Sequence, residues 1–333
     1  MNEYKLEAAA LKTASESILF DGSGFWKSLE EACRRISARL GEPSFVLMAW
    51  SGTIDCLSLQ RCSRKIFSCP FVGVHTPAFF TKKGLMTEGL GIWAVSGENV
   101  TARTLRLDNM TDDSWASGEQ AACSFLEENP EKGVFIHFPE ADSFDFPFFL
   151  HGFHGRTGPG FRHIGGMISS EAACGMCHFT EAGEGKAGGV IALLEGLTLE
   201  IESVHGFSPV GHPVILTRAK GSRIIELDYM PAAKRYKSII LEATGENIED
   251  TTLYPLGVPG CEGNRLVRNL TGINEDGSIE CVSHIPELSP LSVMRGTKSE
   301  LLNGTEKICK NLKAGEKKPR FALAFDCVTR KSL

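Results

Sequence analysis

Phe45–Trp50 reads FVLMAW, six consecutive apolar residues bounded by Pro43 and Gly52. A run of that length and punctuation is a buried strand, too short for a core helix. Phe71–Thr76 and Gly89–Val95 repeat the character, so a sheet of buried strands dominates the first part of the chain. Between them and the N-terminus, Trp26, Leu29, Cys33, Ile36 and Leu40 recur at helical spacing, and Gly41 and Pro43 stop the pattern. The spacing predicts an amphipathic helix over 26–40 that covers a sheet. A second helix over Ser114–Glu128 precedes another apolar strand, Gly133–Phe138, so helix and strand alternate. Pro139–Gly160 crowds Phe144, Phe146, Phe148, Phe149 and Phe153 among Pro, Gly and Asp. It reads as an aromatic-rich loop over its own core, with a ligand lid as the alternative. Two glycines inside the strand pattern His163–Ser170 mark close backbone approach or a bulge.

From Gly188 the texture changes to short alternating runs at Val190–Leu194, Leu197–Val204, Val214–Ala219 and Arg223–Leu227, an antiparallel meander. Pro231 is well placed to begin a helix reaching Ala243. Arg265–Asn274, Ser278–Ser283 and Ser292–Arg295 follow as strands, with a tight turn at Asn274–Gly277. A helix over Ser299–Leu312 and a buried strand over Phe321–Val328 end the chain. The expectation is α+β: two lobes of mixed or antiparallel β-sheet flanked by helices, with sheets packed face to face as one arrangement left open. A length of 333 residues suits two domains.

Charge narrows the function classes. Lys and Arg number 35 against 41 Asp and Glu, a net charge of −6, which argues against a nucleic-acid partner. The basic residues Lys310, Lys313, Lys317, Lys318 and Arg320 read as a solvated stretch with no assigned role. No apolar run is long enough to insert in a membrane, and charges in the first twenty residues leave no room for a signal-peptide core, so the expected location is cytoplasmic. Eleven cysteines then read as reduced thiols.

Cys174-Gly-Met-Cys177-His178 has the C-x-x-C-H form of haem attachment, but the expected location does not suit it. Core cysteines are the preferred reading, with a metal site at Cys174, Cys177 and His178 as a weak alternative; no cofactor is expected. Gly183-Glu-Gly-Lys-Ala-Gly188 satisfies G-x-G-x-x-G on paper, yet strand rather than helix follows, so it reads as a hairpin turn. Cys327, beside Asp326 and near Arg330, reads as a buried inert thiol, a thiol activated by that arginine being the alternative.

Several segments, taken in order, resemble the FIST (F-box and intracellular signal transduction) family, with its FIST-N and FIST-C regions. Phe71-Val-Gly-Val-His75-Thr76 is similar to its V-I-G-C-S-T strand, Glu88–Val95 to its G-V-A-V strand, and Ile164-Gly165-Gly166 to its I-G-G. His205–Pro213 is similar to H-G-W-x-P-x-G-x-P, and Arg218–Asp228 to V-x-E-L-D-G. Tyr254–Gly257, Arg265–Arg268, Asp276–Ser278, Ile285-Pro286 and Phe325–Arg330 continue the match. Val74-His75 stands where the family has C-S, and the chain ends three residues after Arg330, short of a further family segment.

The resemblance implies a FIST-N-like domain over 25–228, a FIST-C-like domain over 229–333, and a noncatalytic sensory module. Bacterial members are thought to bind small ligands, amino acids being the suggested class. The implied partners are a small charged metabolite and a separate signalling protein. A zwitterion needs a cation for its carboxylate, a carboxylate for its amine and close backbone donors. The family-matching candidates are Arg268 and Arg330 for the anion, Asp228 or Asp326 for the amine, and His75, Thr76, Gly165 and Gly166 for backbone and hydroxyl contacts. Each has a structural alternative: ion pairing at strand ends, capping of the helix after Pro231, or relief of packing. A thiol- or metal-dependent enzyme and an interaction scaffold stay open as rival classes.

Overall fold

A computed structural model describes residues 11–20, 22–81, 84–108, 110–140, 143–168, 178–185, 187–260, 264–314, 319–327 and 330. The chain divides into two compact units, 1–199 with 320–332 and 200–319. In the first unit β1 (Lys12–Ile18), α1 (Phe25–Leu40), β2 (Phe45–Ser51), α2 (Cys56–Ile66) and β3 (Phe71–His75) come first. A small hairpin of β4 (Phe79–Thr81) and β5 (Gly84–Met86) leads to β6 (Gly89–Ser96) and β7 (Thr101–Arg106). Then follow α3 (Ser114–Leu126), β8 (Gly133–Pro139), α4 (Phe146–Thr157), β9 (Phe161–Gly165), β10 (His178–Thr180), β11 (Gly183–Gly185) and β12 (Gly189–Glu195).

These strands form two mixed sheets, ordered β1-β6-β2-β3-β10-β11 and β7-β12-β8-β9. The period-two geometry of a strand decides what each face meets. Met48, Trp50, Phe71 and Ile92 of the first sheet pack under Leu29, Cys33 and Ile36 of α1 and Leu59 of α2. Their neighbours Phe45, Leu47, Val72 and Val95 point the other way, against Val134, Ile136, Val190 and Leu194 of the second sheet. On that sheet's far face Phe135, Ile191 and Leu193 meet Ala122 and Phe125 of α3 and Phe149 and Phe153 of α4. The result is four layers, helix–sheet–sheet–helix, and it explains FVLMAW: a strand covered on both faces favours apolar side chains at every position. Each fully buried large side chain contributes about 1.5–3 kcal/mol.

The expected loop over 139–160 contains α4 instead. Asp145 caps it by accepting from the Phe148 N–H, Pro147 sits in its first turn, and Gly158 ends it. Aromatic and glycine content disguised the helix because α4 packs backbone to backbone on α3. An added Cβ at Gly118 would lie 2.0 Å from the Phe149 carbonyl oxygen, and one at Gly152 2.2 Å from that of Trp115. Asp55 and Asp113 cap α2 and α3 in the same way.

The second unit begins with β13 (Ser208–Lys220), β14 (Arg223–Leu227), β15 (Met230–Pro231) and α5 (Ala232–Thr244). It continues with β16 (Leu256–Pro259), β17 (Arg265–Arg268), β18 (Leu270–Ile273), β19 (Ile279–Cys281), β20 (Pro290–Arg295) and α6 (Lys298–Ala314). Its antiparallel sheet runs β17-β16-β20-β13-β14-β19-β18, with β15 beside β14. β17 and β18, separated only by Asn269, stand at opposite ends of this order, so the sheet curls back on itself. The single strand expected over 265–274 is thus two. Val214, Leu216, Leu227, Leu256 and Val293 form the core with Tyr236, Ile239 and Ile240 of α5, and the Tyr236 hydroxyl donates to the Tyr254 carbonyl at 2.6 Å.

Two further expectations are corrected. Leu197–Val204 alternates like a strand but forms none, because it carries the chain from one unit to the next with no strand beside it. Phe321–Val328 is not a buried strand: 321–327 belongs to no strand, with only Phe321 and Leu323 half-buried and Cys327 exposed. Its apolar alternation serves one-sided contact with the first unit, where Leu323 joins the inter-sheet core. No helix among the described residues is long and apolar enough to cross a membrane.

Candidate functional site

On the inner face of the first sheet lies a cavity of about 960 Å³. Its floor is made by Leu47 and Ala49 of β2, Val74 of β3 and Gly91 and Trp93 of β6. Along the edge strand β1, Ala14 and Ile18 turn toward α1, which leaves Thr13, Ser15 and Ser17 on the cavity side. Phe138, Gly166 and Ile168 close one flank, and the 320–326 segment forms another. Two aromatic contacts hold that segment: Phe321 on Trp93 with centroids 5.0 Å apart, and Phe325 on Phe138 at 5.8 Å. Gly91 of β6 lets the Phe79 ring lie close to the strand, since an added Cβ would be 3.0 Å from it and the ring would have to give way.

Of the sequence-predicted residues, the cavity wall brings together His75, Thr76, Gly166 and Asp326. Thr76 donates its hydroxyl to the Ala78 carbonyl at 2.9 Å, leaving the oxygen free to accept. Burial lowers the pKa of His75, against a hydrogen bond with the Gly52 backbone that raises it, and its Nδ1 is buried without a partner. Gly165, at φ +145°, is explained by packing, since an added Cβ would meet the His137 carbonyl at 1.9 Å. Arg330 and Asp326 pair with each other at 3.2 Å.

Asp228 and Arg268 belong to the second unit. Asp228 accepts from the Ile215 N–H at 2.8 Å and from Arg235 Nε at 3.0 Å, so its carboxylate locks a turn onto the first turn of α5. Arg268 is half-buried; desolvation lowers its pKa, its Nε has no partner, and it forms no ion pair among the described residues. Cys174 and Cys177 lie outside the described residues. His178 is described: it is 1% exposed in β10, and neither ring nitrogen has a hydrogen-bond partner among the described residues. No group of three or more metal-ligating side chains occurs among the described residues. The 183–188 glycines carry β11 into strand β12, without the helix that a dinucleotide site requires.

Sequence reading missed Trp93, Phe79, Arg39 and Arg320 as wall residues. Arg320 was grouped with solvated lysines, and only the alternation Phe321-Ala-Leu323-Ala-Phe325 signalled a segment lying on a surface.

A second buried polar group sits under α4. His137 Nε2 and His163 Nδ1 are 3.0 Å apart, ringed by Phe135, Phe146 and Phe153, with His154 of α4 5.4 Å from His163. Desolvation pushes His137 down to about 3 and His163 to about 4, the neighbouring histidine in each case adding to the effect.

The first unit thus offers an accessible cavity lined by polar and aromatic groups. The FIST N domain matches residues 44–230 and the FIST C domain residues 232–333. The chain belongs to the FIST family, whose domains are sensory domains of signal transduction. No curated protein matches the chain.

Proposed function

We propose that this chain is a noncatalytic sensory module that captures a small charged metabolite reversibly in the first unit's cavity and signals through a separate protein. The observation that carries the reading is that His75, Thr76, Gly166 and Asp326 all line one cavity large enough for a metabolite. Amino acids, the class suggested by the family, are the first ligands to test. Arg268 is proposed as a separate anion holder in the second unit, because a half-buried guanidinium without a counter-ion favours one.

The test is a thermal-shift screen of amino acids and other small metabolites, with the ligand's mass checked before and after incubation. A ligand that binds only the folded chain raises its melting temperature, and recovery of that ligand unchanged is the expected outcome. Consumption of the ligand would move the chain to a thiol- or metal-dependent enzyme. Failure of every ligand to stabilise it would favour an interaction scaffold.

A further inference from the structure

We propose that the cavity selects an aromatic carboxylate, an anion without need of an amine, with its carboxylate at Arg320 and its ring among Trp93, Phe79, Phe321 and Phe325. This rests on reading the cavity as a ligand site and narrows what that site takes.

Two arginines, Arg39 and Arg320, and two carboxylates, Glu16 and Asp326, line the cavity, and they are not equally paired. Glu16 is already shared by Arg35 at 3.0 Å and Arg39 at 3.3 Å, and Asp326 is held by Arg330 at 3.2 Å. Arg320 forms no ion pair among the described residues; its Nη1 donates to the Leu11 carbonyl at 3.2 Å, which leaves the rest of the guanidinium fork available. Of the four charged side chains on the wall, Glu16, Arg39 and Asp326 each already have an ion-pair partner, and Arg320 has none among the described residues. An ammonium group entering here would have to compete with an arginine for its partner, whereas a carboxylate finds an unpaired planar cation suited to bidentate binding.

The rest of the wall selects the body of the ligand. Six aromatic rings line the cavity, those of Phe79, Phe80, Trp93, Phe138, Phe321 and Phe325. Gly91 and Gly166 let aromatic rings come close to the backbone, since an added Cβ would lie 3.0 Å from the Phe79 ring at the first and 3.8 Å from the Phe325 ring at the second. Trp93 Nε1, an indole donor, is buried with no hydrogen-bond partner among the described residues. At 960 Å³ the space lies near the top of the range of about 300–1,000 Å³ for small-molecule pockets, which favours a ring system over a small polar amino acid. Thr13, Ser15 and Ser17 add hydroxyls along one edge, able to donate to the same anion.

Isothermal titration of the full chain with four probes tests this: indole-3-propionate, tryptamine, octanoate and alanine. Indole-3-propionate is expected to bind tightest, with tryptamine and octanoate weaker by about tenfold or more and alanine silent. Arg320→Gln should weaken indole-3-propionate by about tenfold or more, Arg320→Lys by less, and Phe321→Leu should weaken it while circular dichroism stays unchanged. Arg320 is exposed, so its variants report binding rather than folding.

Tryptamine binding as well as the carboxylate, or an unchanged affinity in Arg320→Gln, would overturn the anion assignment. Octanoate binding equally would overturn the aromatic one. Alanine binding where indole-3-propionate does not, or no probe binding while another metabolite stabilises the chain, would overturn the inference and leave the sensory reading standing. No binding by any probe and no stabiliser in the wider screen would end both.

Discussion

In the first unit the runs Phe45–Trp50 of β2 and Val190–Leu194 of β12 are apolar along both faces, since helices cover one side of each sheet and a second sheet covers the other. In the second unit buried and exposed side chains alternate along the middle of β13, with Val214 and Leu216 in the core with α5 and Ile215 outward. The difference shows in what each unit tolerates. The first unit brings backbones so close that glycine is obligatory at Gly118 and Gly152. The second carries bulky residues where glycine would fit better: Asp228 and Tyr229 at φ +50° and +61°, and Leu288 at φ +64°. Asp228-Tyr229 is the two-residue connection between β14 and β15, a turn in which both positions demand the left-handed region. Packing limits the first unit, where Asn129 at φ +52° is the one non-glycine residue at positive φ among the described residues, and bulkier residues take that conformation in the turns of the second.

All four tryptophans, Trp26, Trp50, Trp93 and Trp115, fall in the first unit. Their emission during urea titration therefore reports that unit alone, which makes the comparison measurable. The largest expected effect is from Phe135→Ala. Phe135 is fully buried, with Phe125, Phe153 and Phe161 all within 5.2 Å of it by ring centroid. Its loss should destabilise the first unit by about 3–5 kcal/mol. A change below about 1 kcal/mol would mean that the layered core is not closely packed there.

Gly118→Ala comes next. Alanine in a helix interior normally gains about 1 kcal/mol over glycine, but here the new Cβ meets a carbonyl oxygen of α4 that cannot turn aside. The expected result is a net loss of about 1–3 kcal/mol, read from the same tryptophan transition. A gain would show that α3 and α4 are not in backbone contact.

Acid should also act on the first unit. His137 and His163 are neutral in the folded chain, with pKa values held down to about 3 and about 4, whereas in the unfolded chain each titrates near 6.5. The unfolded state thus binds more protons as pH falls. The stability tied to this pair is complete above about pH 6.5 and is lost progressively down to about pH 3–4. His163→Phe should flatten the pH dependence of the tryptophan-detected midpoint in that window, and an unchanged slope would contradict the placement of the pair.

The smallest effect falls on the other side of the comparison and has the opposite sign. Tyr229 is 83% exposed, so it gains little from burial. Tyr229→Gly should stabilise the second unit by about 1 kcal/mol by removing left-handed strain, measured by tyrosine fluorescence from Tyr236 and Tyr254. Destabilisation would mean that the Tyr229 side chain has a packing role.

Much of this architecture was legible because periodicity is a local signal. Helix α1, the buried strands β2, β3, β6 and β8, and the Asn274–Gly277 turn all follow from spacing and turn chemistry within a dozen residues. Helix α4 was not legible, because its glycine and aromatic content reflects contact with α3 rather than intrinsic helix preference. The 321–327 segment was misread for a related reason: alternation reveals one-sided contact but not whether a strand lies alongside. The site was legible in part. Family-like segments pointed to His75, Thr76 and Gly166, and the cavity gathers them. Arg320 and Trp93 acquire meaning only when a distant segment folds back over β6, a relation that no local pattern encodes.

The most direct test of the central claim is hydrogen exchange of the full chain with and without saturating indole-3-propionate, resolved by segment. The account predicts slowed exchange in β1, β6 and 320–326, with β13 and β14 unchanged. Protection confined to the second unit, or absent from all three cavity segments although the probe is bound, would contradict it.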